Sequence, residues 1–326
     1  SCSVIATRAQ STNYNAESSS SMTITIDKAN QTISPVTVLG APRALGTVNL
    51  IANADSNLTV DLTIDNGSTA ICTISGRIVS FLKAGDCVVN ADQAGDTNFN
   101  AATQLQTTLT AAHASQTINL TNPGLKRYLD PNFYITGSTS SSLGITYSLG
   151  AGTTGYGQSS QVCAVSQQGE VQIGEVGTCQ ILANQAGDDV YDPATQVSLN
   201  ITIAKALQTT LSLSSADTYV YGTTLQLTAT GGDGNGAVSF VGGPSQQCSI
   251  DPATNIISGG DAGSGCNVRI VKAGDDHFEA TQTGLLPITI TQASQSVNIT
   301  STPVNPTALG TYTLTASSDS GDTITY

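Results

Sequence analysis

The sequence has no tryptophan, one methionine and two histidines, and only 10% of its residues are charged. Its 10 lysines and arginines are outnumbered by 23 aspartates and glutamates, which gives a formal net charge of -13. A chain with this net charge lacks the excess of basic residues that binding to nucleic acid or to an anionic membrane requires. Apolar residues form only short runs, well below the ~20 residues that cross a bilayer as a helix. We therefore expect neither a nucleic-acid partner nor insertion into a membrane.

Residues with hydroxyl side chains are abundant in this chain, whereas charged residues are few. Serine and threonine together supply 82 of the 326 residues, and there are 32 glycines and 10 prolines. Threonine favours half-buried β-strands, while glycine and proline favour turns, and the good helix formers lysine and glutamate are scarce. The composition therefore predicts an all-β protein.

One sequence motif occurs four times along the chain. In each copy a cysteine opens a strand-like segment, and an aromatic residue follows twelve residues after the cysteine. The pairs are Cys2 with Tyr14, Cys87 with Phe99, Cys179 with Tyr191, and Cys266 with Phe278. The last three copies contain Ala-Gly-Asp, and each copy leads through a short joint to a new strand that opens with glutamine. These opening glutamines, 85, 92 and 87 residues apart, are Gln31, Gln116, Gln208 and Gln295.

The repeat length predicts the type of module. A period near 90 residues matches one small all-β domain and is too long for a helical solenoid repeat. Between the first two opening glutamines, turn signals such as Asp65-Asn66-Gly67 separate about seven strand-like segments, as in an immunoglobulin-like β-sandwich. The predicted strands are residues 31–38, 47–52, 59–64, 70–75, 78–82, 87–91 and 105–111.

The repeats divide the chain into three complete modules and two partial ones. Residues 1–29 correspond to the C-terminal part of an Ig-like module, and residues 294–326 correspond to the N-terminal part of one. The complete modules are residues 30–114, 115–206 and 207–293. Because the joints are short and lack flexible glycine-serine runs, we expect tandem immunoglobulin-like β-sandwich modules arranged as an elongated rod. The partial ends indicate either an excerpt of a longer repeat chain or a subunit whose modules are completed by neighbouring copies.

Three segments carry a resemblance to a known family. They are Ala-Gly-Asp-Cys-Val-Val-Asn-Ala-Asp-Gln-Ala-Gly-Asp-Thr-Asn-Phe (84–99), Thr-Cys-Gln-Ile-Leu-Ala-Asn-Gln-Ala-Gly-Asp-Asp-Val-Tyr (178–191) and Gly-Gly-Asp-Gly-Asn-Gly-Ala-Val-Ser-Phe (231–240). They resemble the bacterial immunoglobulin-like repeat modules of large secreted and cell-surface proteins, including adhesin stalks. The resemblance covers essentially the whole chain, and such modules mostly act as spacers. It implies a non-enzymatic extracellular structural protein that forms a stalk or filament of a bacterial surface protein.

The cysteines recur in pairs that are 15, 16 and 18 residues apart, one pair in each complete module. Zinc sites need closer cysteine or histidine spacing, so this spacing favours disulfides over a metal site or free thiols. The expected pairs are Cys72 with Cys87, Cys163 with Cys179, and Cys248 with Cys266. Cys2 aligns with the second cysteine of each pair, so we expect its partner to lie outside the chain. Since disulfides persist outside the cytosol, we expect an extracellular or bacterial cell-surface location.

The loops that follow the cysteine strands contain part of a calcium-binding pattern, with oxygen side chains two residues apart. The weak calcium candidates are Asp96, Asn98, Asn100, Asp188 and Asp192. The terminal bidentate carboxylate and the central glycine of a calcium loop are absent, and Asp or Asn in a tight connection commonly bonds its own backbone. We therefore interpret these residues as turn-forming and predict no metal site.

The sequence predicts no catalytic residue and no cofactor. His113 and His277 do not recur with a nucleophile and an acid partner, and we interpret both as surface residues. A competing hypothesis is a binding module that recognises a glycan or a cell-surface receptor through the loops of residues 115–206. This longest repeat contains the segment 126–134 (Lys-Arg-Tyr-Leu-Asp-Pro-Asn-Phe-Tyr) and the tyrosines Tyr147 and Tyr156. We prefer the simpler interpretation of a longer strand connection, with neighbouring modules or copies of the protein as partners.

Overall fold

The computed structural model describes residues 1–155, 161–244 and 247–326. Within these residues the regular secondary structure is β, apart from one short 3₁₀ helix at Asn66–Ser68. No helix in this described part of the chain is long and apolar enough to cross a membrane.

The N-terminal residues form a two-stranded hairpin. Strand β1 (Cys2–Val4) pairs antiparallel with β4 (Met22–Ile24), and β2 (Thr7–Arg8) pairs antiparallel with β3 (Glu17–Ser18). All residues of these four strands are exposed. Cys2 is likewise exposed and is not disulfide-bonded.

The first sandwich has two antiparallel sheets with strand orders β11-β10-β7 and β5-β6-β9-β8. Its strands are β5 (Thr37–Leu39), β6 (Thr47–Ile51), β7 (Asp61–Ile64), β8 (Cys72–Ser75), β9 (Ile78–Phe81), β10 (Gly85–Asp92) and β11 (Leu105–Ala111). Along β10 every second residue, Cys87, Val89 and Ala91, is fully buried. This alternation directs one face of the strand onto the opposite sheet, as in an immunoglobulin-like sandwich.

The second sandwich repeats this plan with more interrupted strands. They are β12 (Ile118–Thr121), β13 (Lys126–Arg127), β14 (Phe133–Tyr134), β15 (Thr136–Thr139), β16 (Thr146–Leu149), β17 (Thr154–Gly155), β18 (Cys163–Val165), β19 (Glu170–Ile173), β20 (Gly177–Asn184) and β21 (Val197–Ala204). The sheet orders are β13-β21-β20-β16, with β17 also on β20, then β14-β19-β18 and β12-β15. Strand β13 runs parallel to the last strand β21, and the other pairs are antiparallel.

The third sandwich follows the second closely. Its strands are β22 (Ser212–Leu213), β23 (Thr218–Val220), β24 (Thr224–Gln226), β25 (Ala229–Thr230), β26 (Val238–Gly242), β27 (Cys248–Asp251), β28 (Ile256–Gly259), β29 (Cys266–Lys272), β30 (Thr281–Gln282) and β31 (Leu286–Thr291). The sheet orders are β23-β31-β29-β26, with β30 also on β29, then β24-β28-β27 and β22-β25. Beyond this sandwich, β32 (Val297–Ile299) pairs antiparallel with β33 (Ala316–Ser318).

Each sandwich has its own apolar core and its own disulfide. The fully buried residues include Leu50 and Val79 in the first sandwich, Ile181 and Ile201 in the second, and Ile257 in the third. The disulfides are Cys72–Cys87, Cys163–Cys179 and Cys248–Cys266. In the first sandwich the disulfide joins β8 of one sheet to β10 of the other. Each bond therefore fastens two sheets that are otherwise held together by side-chain packing.

The accessible surface of the chain is larger than that of a compact globule. The chain exposes 19824 Å². A compact monomer of 33.1 kDa would expose about 12,600 Å² from the scaling of surface with mass. The excess has two sources, since the sandwiches have separate cores and the terminal residues 1–30 and 294–326 are almost entirely exposed.

Candidate functional site

The joints between the sandwiches are built from contacts that recur along the chain. In each sandwich the second cysteine of the disulfide lies on a long strand, which is β10, β20 or β29. We call the connection that follows this strand the joint loop. The joint loops are residues 93–104, 185–196 and 273–280. Two residues before each of the first three opening glutamines, an alanine pairs in parallel with the aromatic residue of the next joint loop. The pairs are Ala29 with Phe99, Ala114 with Tyr191, and Ala206 with Phe278.

Two main-chain hydrogen bonds hold each of these alanines. Between the first and second sandwiches, the Ala114 N–H donates to the Val190 carbonyl at 2.7 Å, and the Asp192 N–H donates to the Ala114 carbonyl at 2.9 Å. The corresponding partners are Asn98 and Asn100 for Ala29, and His277 and Glu279 for Ala206. Because both polar groups of the alanine are bonded, the linker is fixed to the sandwich that follows it.

The repeated Ala-Gly-Asp shapes the joint loop. Gly187 has φ +77°, and a Cβ at this position would collide with the carbonyl oxygen of Tyr191. The next residue, Asp188, accepts hydrogen bonds at Oδ1 from the Val190 N–H at 2.9 Å and the Tyr191 N–H at 2.8 Å. Glycine therefore permits the close approach of two chain segments, and the aspartate satisfies the N–H groups of the turn.

The opening glutamine connects the start of each of the first two sandwiches to its joint loop. Gln116 is only 7% exposed. Its Nε2 donates to the Asp192 carbonyl at 2.8 Å and to Oε1 of buried Gln185, and its Oε1 accepts from the Ser141 hydroxyl at 2.5 Å. Buried amides that are fully hydrogen-bonded stabilise one arrangement, since each lost partner leaves a desolvated polar group.

The same set of contacts occurs in the first sandwich. Gln31 Nε2 donates to the Asn100 carbonyl at 2.7 Å and to Gln93 Oε1, and its Oε1 accepts from the Ser56 hydroxyl. Gln31 and Gln93 are both buried.

The third sandwich uses different chemistry at this position. Lys272 stands six residues after Cys266, where the other two sandwiches have glutamine, and it is buried. Its ammonium donates to the Gly236 carbonyl at 3.2 Å and to the Gly234 carbonyl at 3.4 Å. Gln208 then donates to the Ala273 carbonyl at 3.1 Å. In the third sandwich the opening glutamine therefore still bonds to the joint loop, but Lys272 replaces the second glutamine as the buried donor.

Side chains also cross from the first sandwich to the second. Lys83 Nζ lies 3.4 Å from Asp189 Oδ2, and the Ala84 N–H donates to the Asp189 carbonyl at 3.0 Å. Lys83 and Ala84 belong to the turn before β10, whereas Asp189 lies in the joint loop of the second sandwich. The contact therefore limits bending between the two sandwiches.

The second sandwich contacts the third through a histidine and an aromatic ring. His277 Nε2 lies 2.5 Å from Glu175 Oε1, and the Tyr128 ring lies 4.5 Å from the imidazole ring, centroid to centroid. Tyr128 also meets Phe278 edge-to-face at 6.1 Å. Glu175 stands four residues before Cys179 and Lys83 four before Cys87, so one repeat position supplies the charged contact at both joints with opposite sign.

Backbone N–H groups set the acidity of Asp275 in the third joint loop. Hydrogen bonds from the N–H groups of His277 and Asn235 lower the pKa of Asp275 to about 2, with further contributions from the Phe278 N–H and from the charge of His277. The N–H groups of the loop thus stabilise the ionised form of the Asp275 side chain.

The five weak calcium candidates take part in turn and joint contacts. Asp96 Oδ1 accepts from the Asn98 and Phe99 N–H groups at 2.7 and 2.8 Å. Asn100 Nδ2 donates to Asn30 Oδ1 at 3.0 Å, and Asp188 makes the turn bonds described above. Asp192 lies 3.7 Å from His113 Nδ1. In the described residues no group of three or more His, Cys, Asp or Glu side chains is placed to hold a metal ion.

Most of the side chains proposed for ligand recognition in residues 126–134 contact other parts of the chain. Lys126 Nζ lies 4.4 Å from the centroid of the Phe133 ring, and the Arg127 guanidinium donates to the Lys205 carbonyl at 2.6 Å. Tyr147 is buried, whereas Tyr134 is exposed. Tyr156 lies outside the described residues.

Sequence reasoning did not identify the residues that cross the joints. The sequence predicts His277 as a surface residue; its side chain is 37% exposed and also contacts Glu175 and Tyr128. Lys83 and Glu175 share one position relative to the second cysteine. A position-by-position comparison of the repeats would have shown this charge reversal.

Comparisons with known proteins give distant structural similarity only. No protein-family profile and no curated protein sequence matches the chain. Among solved structures, Drosophila N-cadherin EC1-4 is 12% identical, with 89% of this chain and 82% of that chain covered and a TM-score of 0.27. Sidekick-1 immunoglobulin domains 1-5 are 12% identical, with 88% and 66% covered and a TM-score of 0.28. Titin domains A168-A170 are 12% identical, with 79% and 99% covered and a TM-score of 0.30.

Proposed function

We propose that this chain is a non-enzymatic extracellular spacer, a stiff stalk or filament segment of a bacterial surface protein of the adhesin type. The observation that carries the proposal is the repeated joint, in which the linker alanine and the opening glutamine are both bonded to the joint loop. These bonds fix the linker to the sandwich that follows, and at the first joint Ala112 is bonded to Pro42 and Ala44 of the preceding sandwich. A linker held from both sides resists rotation, so consecutive sandwiches act as one extended body. The proposed module boundaries are those of the repeats, with complete modules at residues 30–114, 115–206 and 207–293.

The route of the chain supports a load-bearing role. The last strand of the first sandwich, β11, ends at Ala111, and Ala114 is already bonded to the second sandwich. Tension therefore passes from one sandwich to the next through a linker of a few residues. The disulfide between the sheets keeps each sandwich closed if its side-chain packing loosens, which suits a protein exposed to mechanical load outside the cell.

The proposed partners are neighbouring modules or further copies of the protein. The joint surfaces pair a charged side chain before the long strand with a joint loop of the next sandwich, as Lys83 does with Asp189. This arrangement fits end-to-end contacts between modules.

Solution scattering tests the proposal on the whole chain. Three sandwiches in line, each roughly 35–40 Å long, give a radius of gyration above about 30 Å, whereas a compact globule of this length has about 20 Å. We expect the larger value together with a rod-like cross-section. A radius near that of a globule would contradict the spacer function.

A further inference from the structure

The chain has only two histidines, and both lie at joints opposite a carboxylate. His113 is in the linker before the second sandwich, 3.7 Å from Asp192, with 44% of its side chain exposed. His277 is in the joint loop of the third sandwich, 2.5 Å from Glu175 of the second. Histidine is the side chain whose ordinary titration falls between about pH 5 and pH 8. One histidine thus lies at each joint, in the linker at the first and between the two sandwiches at the second.

The two joints differ in what happens to their cross-joint pair as pH changes. At the first joint Asp189 faces Lys83, and lysine is a side chain that ordinarily titrates well above this range. At the second joint Glu175 faces the imidazole of His277, the side-chain type that ordinarily titrates within it. The His277–Glu175 contact is also better shielded, since the two side chains are 37% and 21% exposed and Tyr128 stacks on the imidazole.

The charges around His277 are mainly negative. Glu175 faces its Nε2 from the second sandwich, and Asp275 accepts a hydrogen bond at Oδ1 from the His277 N–H. Asp276 and Glu279 flank it in the joint loop. Lys205 adds a positive charge from the linker and bonds to the Asp275 carbonyl. Arg127, next to Tyr128, is a second cation and donates to the Lys205 carbonyl, so carboxylates outnumber cations around the imidazole.

We propose that the joint between the second and third sandwiches is a pH-sensitive hinge, stiff in acid and looser in mildly alkaline solution. The proposal depends on the spacer function above and adds its regulation. Protonation of His277 adds charge attraction to the existing hydrogen bond with Glu175, and this attraction is made only when the joint is closed. Lower pH consequently favours the closed joint, and higher pH removes this contribution while the main-chain bonds of Ala206 remain.

The test measures inter-sandwich distances in the full chain at about pH 5.5 and about pH 8. Spin labels on a non-canonical keto amino acid are placed at the exposed residues Ser198 and Ser249 for the second joint. Labels at exposed Thr73 and Ser198 report on the first joint. In the unsubstituted chain the open fraction at the second joint should fall by up to about fivefold on acidification, the upper range for a partly exposed ion pair. The first joint should change much less.

Variants assign the response to the proposed pair. His277→Gln and Glu175→Gln each keep a hydrogen-bonding side chain but remove the titrating charge pair, so either should abolish the pH response of the second joint. His113→Gln, the matched control, should leave that response intact. A response that persists in His277→Gln, or a second joint that is equally narrow at both pH values, overturns the hinge but leaves the spacer function standing. Broad distance distributions at both joints and both pH values overturn the spacer function and the hinge together.

Discussion

Replacing one buried glutamine should show how much the joint contributes to stability. In Gln116→Ala the Asp192 carbonyl and the Ser141 hydroxyl each lose a partner that lies within 2.8 Å. An unsatisfied buried polar group costs about 1–3 kcal/mol. Part of the loss is offset, because Ser141 keeps a 3.2 Å contact with the Thr139 hydroxyl, and Gln185 Oε1 keeps the Gly187 N–H at 2.6 Å. We therefore expect the free energy of unfolding of the second sandwich to fall by about 2–3 kcal/mol.

Tyrosine fluorescence during urea unfolding separates this sandwich from the first one, and comparison with residues 115–206 alone assigns its transition relative to the third. Five of the ten tyrosines lie in residues 115–206, none lies in residues 30–114, and the chain has no tryptophan to mask them. Gln196→Ala is the control in the same sandwich, since Gln196 bonds Asn184 at the exposed surface, and its effect should stay within about 0.5 kcal/mol. Equal small effects of Gln116→Ala and Gln196→Ala would refute the role given to the opening glutamine.

Three further outcomes are expected. In a double-mutant cycle, Lys83→Ala and Asp189→Ala should show a coupling energy below about 1 kcal/mol, because the ion pair is exposed. This coupling should disappear at high salt, and coupling that survives high salt would contradict the prediction. Because the pKa of Asp275 is lowered to about 2 from 3.8, its stabilisation of the third sandwich should be present above about pH 4 and be lost as pH falls toward 2. Asp275→Asn should lack that acid-dependent part in a circular dichroism titration. Replacing both Cys72 and Cys87 with alanine should lower the stability of the first sandwich by about 3 kcal/mol in urea, and an unchanged midpoint would argue against the chain-entropy estimate.

The repeats predict the strands of the first sandwich closely, because alternation and turn signals are local properties. The last predicted strand, 105–111, has the same bounds as β11, and the segment 78–82 differs from β9 by one residue. The opening strand is the exception: it was expected at 31–38, but β5 spans only Thr37–Leu39, with an isolated pairing at Ile33. Pro35 has no N–H to donate, so it interrupts the ladder between these positions.

The polar contacts of the joints could not be read from local patterns. Gln31 and Gln93 are 62 residues apart, and Glu175 and His277 belong to different sandwiches. Such pairs depend on how the loops are placed after folding. The repeat positions of the glutamines were visible in the sequence, but their burial was not, since glutamine is usually exposed.

The disulfides also determine how far a pulled sandwich can lengthen. In the first sandwich the bond closes a loop of 15 residues within a repeat of 85. Those residues cannot extend while the bond is intact, so an unfolded module is about 50 Å shorter than its chain length allows. The disulfide therefore limits the maximum length of an unfolded module. Reduction of the bond would raise that length while the amino-acid sequence stays the same.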